Sequence, residues 1–168
     1  FADDVIWLVG AGVAGGYPDG TFRPTAAVSR QAMAAFLQRL ADLLGAPAPG
    51  PAPAFDDVGP LDPFFAEIGW LGATGIAQGF ADGTFRAAEA VSRQAMAAFL
   101  QRFWPWVSDE EIPESTSPFS DVGPDHPFVA EIAWLAGSGI TQGFADGTFR
   151  PGAPVSRQAM AAFLHRLH

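Results

Sequence analysis

The sequence contains no cysteine and no lysine among its 168 residues. Without cysteine there are no disulfides and no thiolate chemistry, a composition that suits an exported protein free of stray thiols. No apolar run approaches the roughly 18–20 residues of a membrane-spanning helix, and no stretch reads as a signal peptide. There is no initiator methionine, so Phe1 reads as a processed or cut end. Positive charge is scarce. Nine arginines stand against 18 acidic residues, a formal net charge of −9 that argues against nonspecific binding to DNA or RNA. The three histidines, His126, His165 and His168, do not recur between similar segments. With no phosphate-binding loop and no metal-spaced cluster, the chain lacks the obvious parts of an enzyme, a metal site or a cofactor site. At 49% hydrophobic and 16% charged residues, the composition is nonetheless that of a globular chain.

What is present is repetition. The nonapeptide SRQAMAAFL occurs unchanged at Ser29–Leu37, Ser92–Leu100 and Ser156–Leu164. Trp7, Trp70 and Trp134 are 63 and 64 residues apart, as are Asp19, Asp82 and Asp146. All nine arginines belong to the pattern, in the sets Arg23, Arg86, Arg150, then Arg30, Arg93, Arg157, then Arg39, Arg102, Arg166. The spacing divides the chain into a shortened first repeat (1–44), a Pro/Ala linker (45–54), a second repeat (55–103), an acidic connector (104–118) and a third repeat (119–168). The linker, GAPAPGPAPA, is semi-extended and too poor in large apolar residues to pack a core. Trp104, Trp106 and Val107 at the start of the connector can dock on a neighbour.

Each full repeat reads as two helical segments around a glycine-rich turn. In the third, Pro127 suits a first helical turn. Phe128, Ile132 and Leu135 form a helical stripe, and Gly139 stops it. The second repeat has Pro63, Phe64, Ile68, Leu71 and Gly75 in these roles, with Asp62 as the expected N-cap. Asp146-Gly147 is a turn dipeptide that Phe144 and Phe149 pin to the core. The next helix starts at Ser156, a good N-cap. Val155 and Met160 form a hydrophobic staple, and Met160, Phe163, Leu164 and Leu167 form a buried face.

Arg157 is the first residue of that helix, about 70° from the centre of its apolar stripe. A cation there opposes the helix dipole at a cost of about 0.3–1 kcal/mol. Something negative should offset it, either a protein carboxylate such as Asp146 or an anionic ligand shared with the helix N-terminal N–H groups. Arg23, Arg86 and Arg150 read as turn braces or groove-rim contacts, and Arg39, Arg102 and Arg166 as surface. A calcium loop is poorly supported, because an EF-hand needs several alternating oxygen ligands and a closing glutamate.

The segments Phe119-Ser120-Asp121-Val122, Trp134-Leu135, Gly139–Gly143, Asp146–Pro151 and Val155–Ala161 together resemble the S-layer homology domains, with matching segments in repeats two and three almost throughout and in repeat one from about Trp7. The resemblance implies an all-α fold of three helix-loop-helix repeats, arranged with pseudo-threefold symmetry around a central helix bundle. It implies grooves between repeats that bind secondary cell-wall polysaccharide, often through a terminal pyruvylated sugar, and so hold exported proteins at the bacterial surface. It carries a ligand-binding role to Arg30, Arg93 and Arg157, which match the arginine of the family's Thr-Arg-Ala-Glu motif. It makes Asp19, Asp82, Asp146, Trp7, Trp70 and Trp134 shape the groove. Ser29, Ser92 and Ser156, at the motif's threonine, complete the expected glycan-binding set. The motif's glutamate is replaced by Ala32, Ala95 and Ala159, which removes a carboxylate from each site. Phe1 aligns either with Phe64 or, within a compressed FADDV, with Phe55. Glu89 brings a carboxylate that would occupy or repel at the second site. The alternative partner is protein: a self-assembly module whose grooves engage further copies in a surface lattice.

Overall fold

The computed structural model describes residues 1–168 and contains six α-helices: α1 (Ala2–Gly10), α2 (Arg30–Leu43), α3 (Phe65–Ala73), α4 (Arg93–Val107), α5 (Val129–Gly137) and α6 (Arg157–Leu167). There is no sheet; three isolated β-bridges join the repeats. The fold is all-α, two helices to each repeat.

The longer helices α2, α4 and α6 begin where the sequence places them. The Ser29, Ser92 and Ser156 hydroxyls accept from the N–H groups of Ala32, Ala95 and Ala159 at 3.4, 3.3 and 3.3 Å. Their apolar stripes, Met33-Phe36-Leu37-Leu40, Met96-Phe99-Leu100-Phe103 and Met160-Phe163-Leu164-Leu167, all enter one core. Each such side chain contributes roughly 1.5–3 kcal/mol of burial. Ala34, Ala97 and Ala161 are fully buried in the same core.

The sequence repeat is not the packing unit. α2 packs on α3, α4 on α5, and α6 returns to α1. Each repeat therefore lays its second helix against the first helix of the next, and the last closes on the first. At that closure Trp7 stacks on His165 with ring centroids 4.7 Å apart, and His165 Nδ1 lies 3.0 Å from Asp4 Oδ1.

Several local expectations are corrected. Pro127 and Pro63 stand in turns before α5 and α3 rather than in a first helical turn. Asp62 does not cap α3. Its carboxylate accepts from Gly59 N–H at 2.7 Å, and the N-cap is Phe64, whose left-handed backbone (φ 62°) turns the chain into the helix. The Pro/Ala linker packs despite its small side chains: a Cβ on Gly72 would lie 2.8 Å from Pro53 Cγ, and one on Gly69 would lie 3.3 Å from the Ala52 methyl. Helix α4 continues through Pro105 to Val107, so Trp104 and Trp106 are helical, and Trp104 meets Trp134 at 6.1 Å.

Phe1 takes the place of Phe64, not of Phe55, because it caps α1 as Phe64 caps α3. In the other repeats a Phe-x-Asp-Val segment precedes the first helix and clasps the turn. The Asp57 carboxylate accepts from the Phe85 and Arg86 N–H groups at 2.6 and 2.7 Å, and Asp121 accepts from Phe149 and Arg150 at 2.7 Å each. Phe55 and Phe119 lie against Phe85 and Phe149 at 5.2 and 5.3 Å. Phe85 and Phe149 are fully buried, whereas Phe22, their counterpart, is half-buried.

Candidate binding grooves between the repeats

The seams are built from backbone. Val28 N–H donates to Val155, Val155 to Val91 and Val91 to Val28, each at 2.9 Å, a closed triangle of hydrogen bonds. Around it, the first two N–H groups of every long helix donate to the next repeat's loop. Arg30 and Gln31 bond the Glu89 and Ala87 carbonyls, Arg93 and Gln94 those of Ala153 and Pro151, and Arg157 and Gln158 those of Ala26 and Pro24, all at 2.9 Å. With the third N–H on the serine cap, the helix starts offer no amide to a ligand. The expected sharing of an anion between arginine and helix N–H groups is therefore corrected.

The arginines follow the same circuit. Arg30 Nε donates to the Phe85 carbonyl at 2.7 Å, Arg93 Nε to Phe149 at 2.6 Å and Arg157 Nε to Phe22 at 2.7 Å. Arg157 Nη2 also donates to the Gly15 carbonyl at 3.0 Å. Each guanidinium lies over aromatic rings of the next repeat: Arg30 is 4.6 and 4.9 Å from Phe85 and Phe80, Arg93 is 4.5 and 4.9 Å from Phe149 and Phe144, and Arg157 is 4.4 and 5.1 Å from Phe22 and Tyr17. Such contacts are worth about 0.5–2 kcal/mol each. Burial lowers the pKa of all three, without displacing them from the charged form. The negative partner that the helix dipole calls for is a set of carbonyl oxygens and π faces, not Asp146.

Asp146 is committed elsewhere. Asp19, Asp82 and Asp146 accept from the Thr21, Thr84 and Thr148 hydroxyls at 2.6 Å and pair with Arg23, Arg86 and Arg150 at 2.8, 2.9 and 2.8 Å. The threonine hydroxyl first, and the guanidinium after it, hold each carboxyl down at a pKa of about 2. These exposed clasps set the turn, and Arg23, Arg86 and Arg150 are turn braces. Tyr17, Phe80 and Phe144 each lie between a turn arginine and a seam arginine, with Arg23, Arg86 and Arg150 3.9, 3.7 and 3.9 Å from their centroids. Phe144 thus walls a groove, while Phe149 alone is buried in the core.

Three grooves of similar size, about 430, 410 and 490 Å³, lie at the junctions. The first holds Arg30 with Arg102, the second Arg157 with Arg39, and the third Arg93 with Arg166. Their floors carry Ser92, Ser29 and Ser156, and their walls end in Phe128, Phe64 and Phe1. Ala95, Ala32 and Ala159 line them too, so the alanines that replace the motif's glutamate leave the grooves less acidic. The arginines and serines expected for the site are thus brought together. The tryptophans are not. Trp134 borders a separate hollow with Trp104, Trp70 faces the Pro/Ala linker, and Trp7 lies under His165, because the helix face that carries them turns to the neighbouring long helix and the connectors.

Sequence reasoning placed Arg39, Arg102 and Arg166 at the surface and missed their part in the grooves. Each donates from Nη1 to a carbonyl just past a short helix: Val13 at 3.4 Å, Ile76 at 3.3 Å and Ile140 at 3.0 Å. It also missed the clasp made by Asp57 and Asp121. Desolvation pushes these two carboxyls up, and the backbone N–H groups that they accept from outweigh it, leaving both below the usual value. The repeat of both sets at constant spacing was the available signal.

Three helical repeats closed in a ring, with an arginine-lined groove at each junction, define a repeat-built module whose working surfaces are its seams. The chain belongs to the S-layer homology domain family, whose model matches residues 1–34, 54–97 and 118–161. This is a family of noncatalytic cell-surface anchoring modules, which places the chain at the cell surface. It is also similar to Cell surface glycoprotein 1 of Acetivibrio thermocellus, 27% identical over 160 residues. Those residues are 90% of this chain, which spans about 7% of that relative's length. No helix is long and apolar enough to cross a membrane.

Proposed function

We propose that the grooves bind an acidic cell-wall polysaccharide through a carboxylate-bearing sugar such as a pyruvate ketal, and so anchor the protein that carries this chain. One observation carries the reading. The ion pairs between arginine and carboxylate use only Arg23, Arg86 and Arg150, so none of the six groove arginines is ion-paired with a carboxylate. A guanidinium matches a carboxylate bidentately, for roughly 1.5–3 kcal/mol per contact. The aromatic wall offers an apolar face to a sugar ring. Several grooves on one polymer multiply modest affinities by avidity. The chain's net −9 does not oppose this at short range, since exposed charges beyond about 8 Å are screened at physiological salt.

The test is co-sedimentation with purified wall sacculi, before and after removal of secondary polysaccharide, for the chain and for Arg93→Gln, Arg157→Gln, Arg39→Gln and Arg166→Gln. Circular dichroism melts show which variants keep the fold. The reading expects folded variants to sediment less and the chain to lose stripped walls. Equal binding to stripped walls, or concentration-dependent oligomers that form through the grooves without glycan, would overturn it in favour of a self-assembly module.

A further inference from the structure

The three junctions are alike in size, seam backbone and paired arginines, and they differ in one side-chain charge. Glu89 is the only acidic residue on the wall of any of the three grooves, and it stands in the first, beside Arg30 and Arg102. At the equivalent positions of the other seams stand Ala26 and Ala153. The equivalence is fixed by backbone: the Glu89 carbonyl accepts from Arg30 N–H just as those of Ala153 and Ala26 accept from Arg93 and Arg157, all at 2.9 Å. Its N–H donates to the Arg86 carbonyl at 3.0 Å, so the residue is held at both ends at the mouth of the groove.

The Glu89 side chain is exposed and weakly engaged. Its nearest cation is Arg86, with Nη1 3.8 Å from Oε1, and Arg86 already spends Nη2 on Asp82 at 2.9 Å. The carboxylate charge is therefore left to act on the groove. Toward Arg30 it is attractive; toward a carboxylate seated in the same groove it is repulsive at short range, where the concave wall focuses its field. The second and third grooves hold two arginines and no acid.

We propose that this chain has two anion-receptor grooves, not three, and that Glu89 is the residue that withdraws the first groove from acidic sugars. The inference rests on the reading of the grooves as carboxylate receptors and assigns it unequally among them. A like charge on the wall weakens a carboxylate ligand on the order of tenfold or more. The first groove keeps its arginines, its serine and its Phe128 wall, and is left to uncharged units of the same polymer.

Equilibrium dialysis of the whole chain against a monovalent probe, a methyl hexopyranoside carrying a 4,6-linked pyruvate ketal, counts the sites. The same glycoside without the ketal is the control. Two tight sites are expected for the chain, three for Glu89→Ala, and one for Ala153→Glu, which carries the acid into the third groove. Both positions are in loops, Glu89 exposed and Ala153 half-buried, and a melting curve confirms that the folds match. Three equivalent sites in the unaltered chain, or a count that Glu89→Ala leaves unchanged, would overturn the inference while leaving the anchoring reading intact. No ketal-dependent binding by the chain or either variant would remove the carboxylate-receptor reading itself, and this inference with it.

Discussion

Arg30, Arg93 and Arg157 open three helices at the position where the dipole disfavours a cation. The structure explains the choice by what surrounds them: a carbonyl from the next repeat on Nε, a second carbonyl on Nη2 of Arg157, aromatic rings on the planar faces, and a groove that each guanidinium lines. Lysine could make none of the fork contacts with the same geometry. The arginine's place at the border of the apolar stripe was legible from helical angle. Its partners were not, because they sit 55, 56 and 135 residues away in sequence, across a seam. The turn aspartates behave differently and lead to a pH prediction. Asp19, Asp82 and Asp146 titrate near 2 in the fold against an ordinary 3.8. A carboxyl lowered on folding stabilises the fold above its unfolded pKa, and that contribution is lost as pH falls through the folded value. Melting temperature should therefore fall between about pH 4 and pH 2. In a triple variant with Asp19→Asn, Asp82→Asn and Asp146→Asn, the fall in that window should be shallower. An identical profile in the variant would show that the clasps do not contribute.

At the scale of the element, the long helices were legible almost residue by residue, since serine cap, valine staple and apolar stripe agree. Ser156→Ala should cost about 1 kcal/mol, read as a lower melting temperature. The short helices were harder to place. Their starts depend on a left-handed Phe64 and on turn hydrogen bonds, where the sequence suggested proline and Asp62 instead. The clasp ahead of them explains a further asymmetry. The Gly83 and Gly147 carbonyls accept from Asp56 and Ser120 N–H at 3.0 and 3.1 Å, completing what Asp57 and Asp121 begin. In the first repeat the Phe22 and Arg23 N–H groups have no acceptor within the chain. Phe55 and Phe119 each stand nine residues before the phenylalanine that caps the following helix. Joining a copy of Phe119–Pro127, FSDVGPDHP, ahead of Phe1 should therefore protect the Phe22 and Arg23 amides from hydrogen exchange and raise the melting temperature. The same extension with asparagine in place of its first aspartate, the copy of Asp121, should do neither. Equal protection by both would mean that the carboxylate is not what holds the turn.

For the whole molecule, the deciding feature is that each repeat completes its neighbour. The repeats themselves were plain in the sequence, and the threefold arrangement came with the resemblance. The exchange of helix partners did not, because spacing along a chain carries no information about which of three identical faces a short helix will meet. The consequence is mechanical. α1 and α6, at opposite ends of the chain, are one of the three packed pairs, joined by the Trp7–His165 stack, the Trp7–His168 contact at 5.1 Å and the His165–Asp4 hydrogen bond. The second and third grooves depend on this closure, since Arg157 reaches back to Phe22 and Gly15, and Phe1 walls the groove of Arg93. Trp7→Ala should therefore act on the ring and not on a terminus alone. Trp7 is half-buried, so the loss should be about 2 kcal/mol, below the 3–5 kcal/mol of a fully buried tryptophan. It should appear as a single cooperative transition moved to lower temperature, with faster amide exchange at Val28 and Val155 in the central triangle. If only the amides of α1 exchange faster and the main transition stays in place, the ring does not need its closing pair. The grooves would then be properties of separate seams rather than of one closed body.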